Sequence, residues 1–154
     1  MPLLHVALWE PEIPPNTGNV ARLCAASGTP LHLVGRLGFR LDERSLRRAG
    51  VDYWDAVEMH QHDSLAAFEA RHAEVGRIFC LSARANVPYT AVHYQWGDCF
   101  LFGSESRGLP DEVLQRHADR SLVIPMPAGT VRSLNLATAV GVVLYEALRQ
   151  LHAW

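Results

Sequence analysis

The stretch Phe102-Gly103-Ser104-Glu105-Ser106-Arg107-Gly108-Leu109-Pro110 directly follows an apolar run, Cys99–Phe102, and leads into a helix-like segment. Two glycines bracket Glu105 and Arg107 within it. Glycine at the end of a buried strand lets a ligand lie against the backbone. Because sites are commonly built on loops held by a rigid sheet, the stretch is a candidate site loop.

Two other segments share this character. Near the start is Pro11-Glu12-Ile13-Pro14-Pro15-Asn16-Thr17-Gly18-Asn19-Val20-Ala21-Arg22, and near the end are Ile124-Pro125-Met126 and Ser133-Leu134-Asn135-Leu136. Proline removes a ladder donor, so the chain must leave the sheet after Ile124. We expect Ser133 to begin the last helix, whose free amides could meet a ligand's polar groups.

Short, continuous apolar runs alternate with helical patterns along the whole chain. Continuous rather than alternating runs are typical of strands covered on both faces. The predicted strands are Leu3–Trp9, Leu31–Val34, Ile78–Ser82, Cys99–Phe102 and Leu122–Ile124. The predicted helices are Thr17–Ser27, Asp42 to near Gly50, Asp63–His72, one with Pro110 at its first position, and Ser133 to about Leu151.

This alternation predicts an α/β fold with a mainly parallel sheet flanked by helices. No linker or change of composition divides residues 1–154, so we predict one domain. In a parallel sheet, ligands bind outside the carboxyl ends of the strands. The strand ends at Leu81, Gly103 and Ile124 are therefore expected to line one pocket.

Composition excludes several classes of function. The formal net charge of −2 excludes a generally basic coat for nucleic acid, although a local basic patch is compatible with it. The three cysteines form no CxxC pair and are expected to be buried free thiols of a cytoplasmic protein. No signal peptide or membrane-spanning run is present, so no membrane partner is expected.

Common cofactor and metal motifs are also missing. The chain contains no GxGxxG, GxxxxGK[ST] or GxSxG motif. The eight histidines are scattered, and His60-x-His62 is the closest pair. Because metal sites need three or four converging ligands, we expect no metal site.

The three segments together resemble the SPOUT superfamily of RNA methyltransferases, and most closely its SpoU branch, which methylates ribose 2′-oxygens. The resemblance covers nearly the whole chain. Within the branch, Glu10–Asn19 and Leu46-Arg47-Arg48-Ala49-Gly50-Val51-Asp52-Tyr53 are similar to enzymes acting on the wobble nucleotide of tRNA. The family resemblance implies that the methyl donor is S-adenosylmethionine, that the C-terminal part of the chain forms a trefoil knot, and that the protein is a homodimer. Unlike longer relatives, the sequence ends at Trp154, so we expect no RNA contact from a trailing tail.

The resemblance also implies roles for particular residues. It implies that the donor is bound by Leu81, Gly103, Ile124, Ser133 and Leu134. It implies that the catalytic face is formed by Asn16, Arg22, Glu105 and Asn135. Methyl transfer needs in-line positioning and stabilisation of the developing alkoxide. Arg22 could hold the target phosphate or stabilise the 2′-oxygen, whereas Glu105 could equally well cap a backbone segment or order the knot.

One concentrated basic stretch is suited to RNA phosphates, although a solvated helix face would look the same. It contains Arg36, Arg40, Arg44, Arg47 and Arg48, and Arg107 and Arg132 could extend it beside the pocket. The resemblance implies that the substrate is the anticodon stem-loop of a tRNA and not DNA, and we expect a leucine tRNA. Two alternatives stay open: methylation of a base nitrogen in tRNA or rRNA, and a non-catalytic RNA-binding or cofactor-sensing module. The Ser133-Leu134-Asn135-Leu136 motif favours the ribose branch.

Overall fold

A seven-stranded sheet runs through the computed structural model, which describes residues 2–41 and 54–154. All neighbouring strands pair in parallel, in the order β3-β2-β1-β6-β4-β7-β5. The strands are β1 (His5–Trp9), β2 (Leu31–Val34), β3 (Met59–His62), β4 (Ile78–Leu81), β5 (Val87–Pro88), β6 (Cys99–Phe102) and β7 (Ser121–Val123). The prediction of an α/β fold with a mainly parallel sheet is confirmed.

Four α-helices in the described ranges cover the sheet. They are α1 (Pro14–Ser27), α2 (Leu65–His72), α3 (Asp111–Arg116) and α4 (Leu136–His152). One core contains Val20 of α1 and Leu144 of α4 against the sheet, and a second contains Phe68 of α2 and Val113 of α3. The helices lie on both faces, which explains why the strand sequences are continuously apolar.

The cysteines occupy these cores as unpaired thiols, as predicted. Burial raises the pKa of Cys24 and of Cys80 to about 12 and raises that of Cys99 well above its usual range. No described helix combines the length and apolar character needed to cross a membrane.

Helix starts differ from the predictions where side chains or prolines cap them. Helix α1 begins at Pro14, three residues before the predicted start, because proline is well tolerated in a first turn. Pro110 caps α3 rather than lying inside it. The prediction that Ser133 begins the last helix is wrong: α4 begins at Leu136, since the Asn135 side chain accepts a hydrogen bond from the Thr138 amide at 3.2 Å.

Two strands were missed by the sequence analysis because neither has an apolar run. Strand β3 has the sequence MHQH at one edge of the sheet, and β5 is an exposed pair of residues at the other edge. The helix predicted from Asp42 to Gly50 lies outside the described residues. The C-terminal trefoil knot stays a prediction, because strand order does not define how the chain passes its own loops.

Candidate active site

A cleft of about 1020 Å³ lies where the neighbouring strands β6 and β4 reach their carboxyl ends. Leu81, Gly103, Ser133 and Leu134 line it. An adjoining recess of about 110 Å³ is lined by Leu81, Ser133, Leu134 and also Ile124. The structure therefore brings all five predicted donor-binding residues to one place, with an apolar interior and a more polar rim.

Gly103 is needed for a different reason from the one expected. A Cβ atom on Gly103 would lie 2.1 Å from the carbonyl carbon of Gly108 and 2.4 Å from the amide nitrogen of Leu109. Ser104 and Gly108 form an isolated antiparallel bridge, and Gly108 adopts a left-handed φ of 67°. The close approach at Gly103 is thus made by the loop's own backbone, whereas the expectation that a ligand lies against this glycine stays a prediction.

Three motif residues far apart in the sequence meet in one hydrogen-bond network. The Glu105 carboxylate accepts from the amides of Glu12 at 2.8 Å and Ile13 at 2.9 Å, and from Asn16 Nδ2 at 3.2 Å. Asn135 Nδ2 donates to Asn16 Oδ1 at 3.0 Å. Because Glu105 satisfies amides at the start of α1 and Asn135 caps α4, the network fixes two helices against the glycine loop.

A second set of hydrogen bonds joins the start of α1 to the glycine loop, and here the loop residues are the donors. The Ser106 amide and hydroxyl both donate to the Glu12 carboxylate at 2.8 and 2.7 Å. These hydrogen bonds lower the pKa of Glu12 below its ordinary value. Arg107 donates to Glu10 at 3.1 Å and lies over the Trp9 ring at 4.9 Å from its centroid. The segments 9–16 and 103–108 therefore form one ordered rim.

Arg22 lies on a different part of α1 from Asn16. It lies on α1 six residues after Asn16, which corresponds to about 9 Å along the helix and a direction about 120° away. Asn16 is buried, whereas Arg22 is on the exposed side of α1. The structure places the other three predicted catalytic residues together and Arg22 outside them within one chain.

The predicted RNA-binding arginines divide into four groups. Arg107 and Arg132 line the cleft, as the sequence analysis expected of residues beside the pocket motifs. Arg36 follows β2, and its amide donates to the same Glu10 carboxylate that binds Arg107. Arg40 is exposed, and Arg44, Arg47 and Arg48 lie outside the described residues.

Two polar residues of the cleft were missed by the sequence analysis. Ser104 is buried, and its hydroxyl finds no hydrogen-bond partner in the described part of the chain, although it lines the cleft. Arg84 follows β4 at the rim and contacts Asp111. Ser104 lies inside the glycine loop and could have been recognised from it, whereas the sequence around Arg84 carries no comparable signal.

The histidines are less scattered than the sequence suggested. Five of them form a histidine cluster around a cavity of about 390 Å³ under α2, namely His5, His32, His60, His62 and His72. Parallel pairing places His32 directly beside His60. In residues 2–41 and 54–154, no group of three or more His, Cys, Asp or Glu side chains has the arrangement to hold a metal ion.

A parallel α/β sheet with a cleft enclosed by three loop motifs is the arrangement expected of an SpoU-type methyltransferase. The family model described as SpoU rRNA Methylase matches residues 3–145. The chain belongs to this family.

Individual relatives are similar to nearly the whole of this chain. A tRNA (cytidine(34)-2'-O)-methyltransferase of Escherichia coli (strain K12) is 47% identical over 152 residues, covering 97% of this chain and 94% of the relative. A solved structure from work on the 2-OH methylation of C/U34 on tRNA is 53% identical, with a TM-score of 0.94 and 99% of both chains covered. An AdoMet-bound rRNA methyltransferase from Sinorhizobium meliloti is 29% identical, with a TM-score of 0.86, and the match covers 97% of this chain and 57% of that one.

Proposed function

We propose that this protein transfers a methyl group from S-adenosylmethionine to the ribose 2′-oxygen of the wobble pyrimidine, position 34, of a tRNA, with leucine tRNA as the expected species. The observation that carries the proposal is the meeting of Asn16, Glu105 and Asn135 beside the cleft at the strand ends. The names of the relatives that are about half identical over their full length support the same acceptor. A cytoplasmic location accompanies this proposal.

The cleft fits such a donor in both shape and chemistry. Its apolar interior, with Leu81, Ile124 and Leu134, suits an adenine ring, and the unpartnered Ser104 hydroxyl can form a hydrogen bond with a polar ligand atom. When bound, S-adenosylmethionine supplies an activated methyl group on a sulfonium. The protein's own task is then to position the acceptor and favour its alkoxide.

Glu105 serves this task by ordering the site rather than by moving a proton. Its carboxylate oxygens already accept from two backbone amides and from Asn16. A carboxylate engaged in this way holds the start of α1 against the glycine loop. Arg22 supplies positive charge for the target phosphate or the developing 2′-oxygen, since a guanidinium remains protonated.

A homodimer would bring Arg22 to a complete site. Arg22 is exposed and lies about a third of a turn away from Asn16 around α1, so in this proposal it serves the cleft of a second copy. Tyr145 of α4 has 42% of its surface exposed, which suits packing against that copy. The proposed assembly predicts a dimer mass in light scattering at micromolar protein, and a purely monomeric mass would contradict it.

The activity is tested by incubating the protein with bulk tRNA and methyl-labelled donor, digesting the RNA and locating the methyl group. We expect label on the 2′-oxygen of nucleotide 34. Label on a base nitrogen would favour the base-methylating alternative. Donor and RNA binding without any methyl transfer would favour a non-catalytic module.

A further inference from the structure

The rim of the cleft carries a cation that the network around Glu105 does not use. Arg84 Nη1 donates to Asp111 Oδ1 at 2.5 Å, and Nη2 is 3.4 Å from the Leu109 carbonyl oxygen. Arg84 lies after β4 and Asp111 begins α3, so the pair spans two walls of the cleft. Both side chains are open to solvent, at 62% and 74% exposure.

The backbone around Arg84 is ordered, although its side chain is exposed. The Ser82 hydroxyl accepts from the Arg84 amide at 3.1 Å, and the Ser82 carbonyl accepts from the Ala85 amide at 3.2 Å. Such a turn fixes the direction in which the side chain leaves the backbone. Arg84 is therefore held at the mouth of the cleft without being buried by its partner.

The carboxylates of this rim engage different partners. Arg84, Arg107 and Arg132 line the cleft together with Glu105 and Asp111, and Arg107 is already paired with Glu10. Glu105 is saturated by amides of the α1 start. Asp111 is thus the acidic group of the cleft that competes directly for Arg84.

We propose that Arg84 binds a phosphodiester of the substrate RNA and that Asp111 occupies its guanidinium until the RNA arrives. Solvent-exposed ion pairs contribute little to stability, so the pair is easily exchanged. A phosphate can accept two parallel hydrogen bonds from a guanidinium. RNA is favoured over the donor because the apolar recess proposed for the donor's adenine is lined by other residues, whereas Arg84 is 62% exposed at the outer rim.

This inference rests on the proposed function for its substrate. It predicts that removing the charge of Arg84 and removing the charge of Asp111 change RNA affinity in opposite directions. Arg84→Ala should weaken RNA binding about tenfold, the effect of losing a hydrogen bond to a charged group. Asp111→Asn should tighten it about threefold, because the competing ion pair is removed. A pair that merely held the two walls together would show weaker binding in both variants.

Matched variants separate this effect from general charge. Glu112→Gln changes the same charge in the same turn of α3 without touching Arg84, so it should tighten binding less than Asp111→Asn does. Arg84→Lys should recover part of the affinity. In the Arg84→Ala background, Asp111→Asn should tighten RNA binding no more than Glu112→Gln does in the wild-type background.

The measurement is fluorescence anisotropy with labelled bulk tRNA and saturating S-adenosylhomocysteine, repeated from 50 to 200 mM salt. Arg84→Ala should make the logarithm of the binding constant depend less steeply on the logarithm of salt concentration, by the amount expected for about one phosphate contact. Calorimetry with S-adenosylhomocysteine should give unchanged affinity in every variant.

Reduced donor affinity with unchanged RNA affinity in Arg84→Ala would overturn the proposal, as would weaker RNA binding in Asp111→Asn. A methyl group found away from nucleotide 34, with the opposite-sign effects intact, would refute the proposed function and leave the role of Arg84 standing.

Discussion

The histidine cluster makes the stability of the protein sensitive to mild acid. His32 shares hydrogen bonds of 2.9 Å with His5 on one side and with His62 on the other. Burial, reinforced by repulsion from neighbouring histidines, lowers the pKa of His32 to about 2 and that of His5 to about 4. The pKa values of His62 and His72 are also lowered, mainly by burial.

Proton counting gives the same direction. In a chain of three imidazoles joined by two hydrogen bonds, only one extra proton fits before two N–H groups face each other. In the unfolded chain, each of the three imidazoles can take up a proton when the pH is below the ordinary histidine pKa. The charged groups facing the cluster are Glu58 near β3, Arg71 and Glu74 around α2, and Asp98 before β6.

The magnitude follows from the shift of His32. The pKa of His32 in the folded protein lies below its unfolded value of 6.5. The imidazole is therefore neutral in both states above pH 6.5, and the free energy of unfolding decreases as the pH falls below that value. At pH 5 the gap is about 1.5 pH units, which corresponds to about 2 kcal/mol of unfolding free energy at 1.36 kcal/mol per unit. We expect the wild-type protein to lose at least this much between pH 7.5 and pH 5.

Urea unfolding followed by circular dichroism measures this loss at fixed protein concentration and with EDTA present. In His32→Leu, the difference in unfolding free energy between pH 7.5 and pH 5 should shrink by about 2 kcal/mol. His93→Asn removes an exposed histidine and should leave the difference unchanged. An identical pH dependence in His32→Leu and wild type would refute the argument.

Three further substitutions test the active site. Arg22→Ala should retain donor affinity in calorimetry but lose at least about tenfold in methyl transfer, or about 1.4 kcal/mol in the barrier; a smaller loss would remove Arg22 from the catalytic assignment. Gly103→Ala should lower the melting temperature as well as donor affinity, because its Cβ would collide with Gly108; a normal melting curve would contradict that contact. Glu105→Gln replaces a charged acceptor of two amides, so urea unfolding should show a loss of about 1–2 kcal/mol, and unchanged stability would show that the network does not hold α1.

Local sequence patterns predicted much of the fold for a clear physical reason. Central strands such as β6 are covered on both faces, so each reads as a continuous apolar run. Strand β3 has no such run because it lies at an edge, and two of its four residues, His60 and His62, belong to the histidine cluster. The start of α4 was misplaced because the capping role of Asn135 depends on its side-chain geometry.

The sequence by itself determined the parallel α/β class, the three loop motifs and the strand ends at which the cleft forms, because burial on two faces and the backbone demands of glycine and proline are local properties. Only the tertiary structure decided which residues meet. Glu105 contacts Glu12 across 93 positions, and Asn135 contacts Asn16 across 119. Contacts over such separations depend on strand order and register, which no local pattern encodes. For the same reason, only the folded chain showed that the backbone of the glycine loop packs against Gly103, that five histidines share one cavity, and that Arg22 lies on the exposed side of α1.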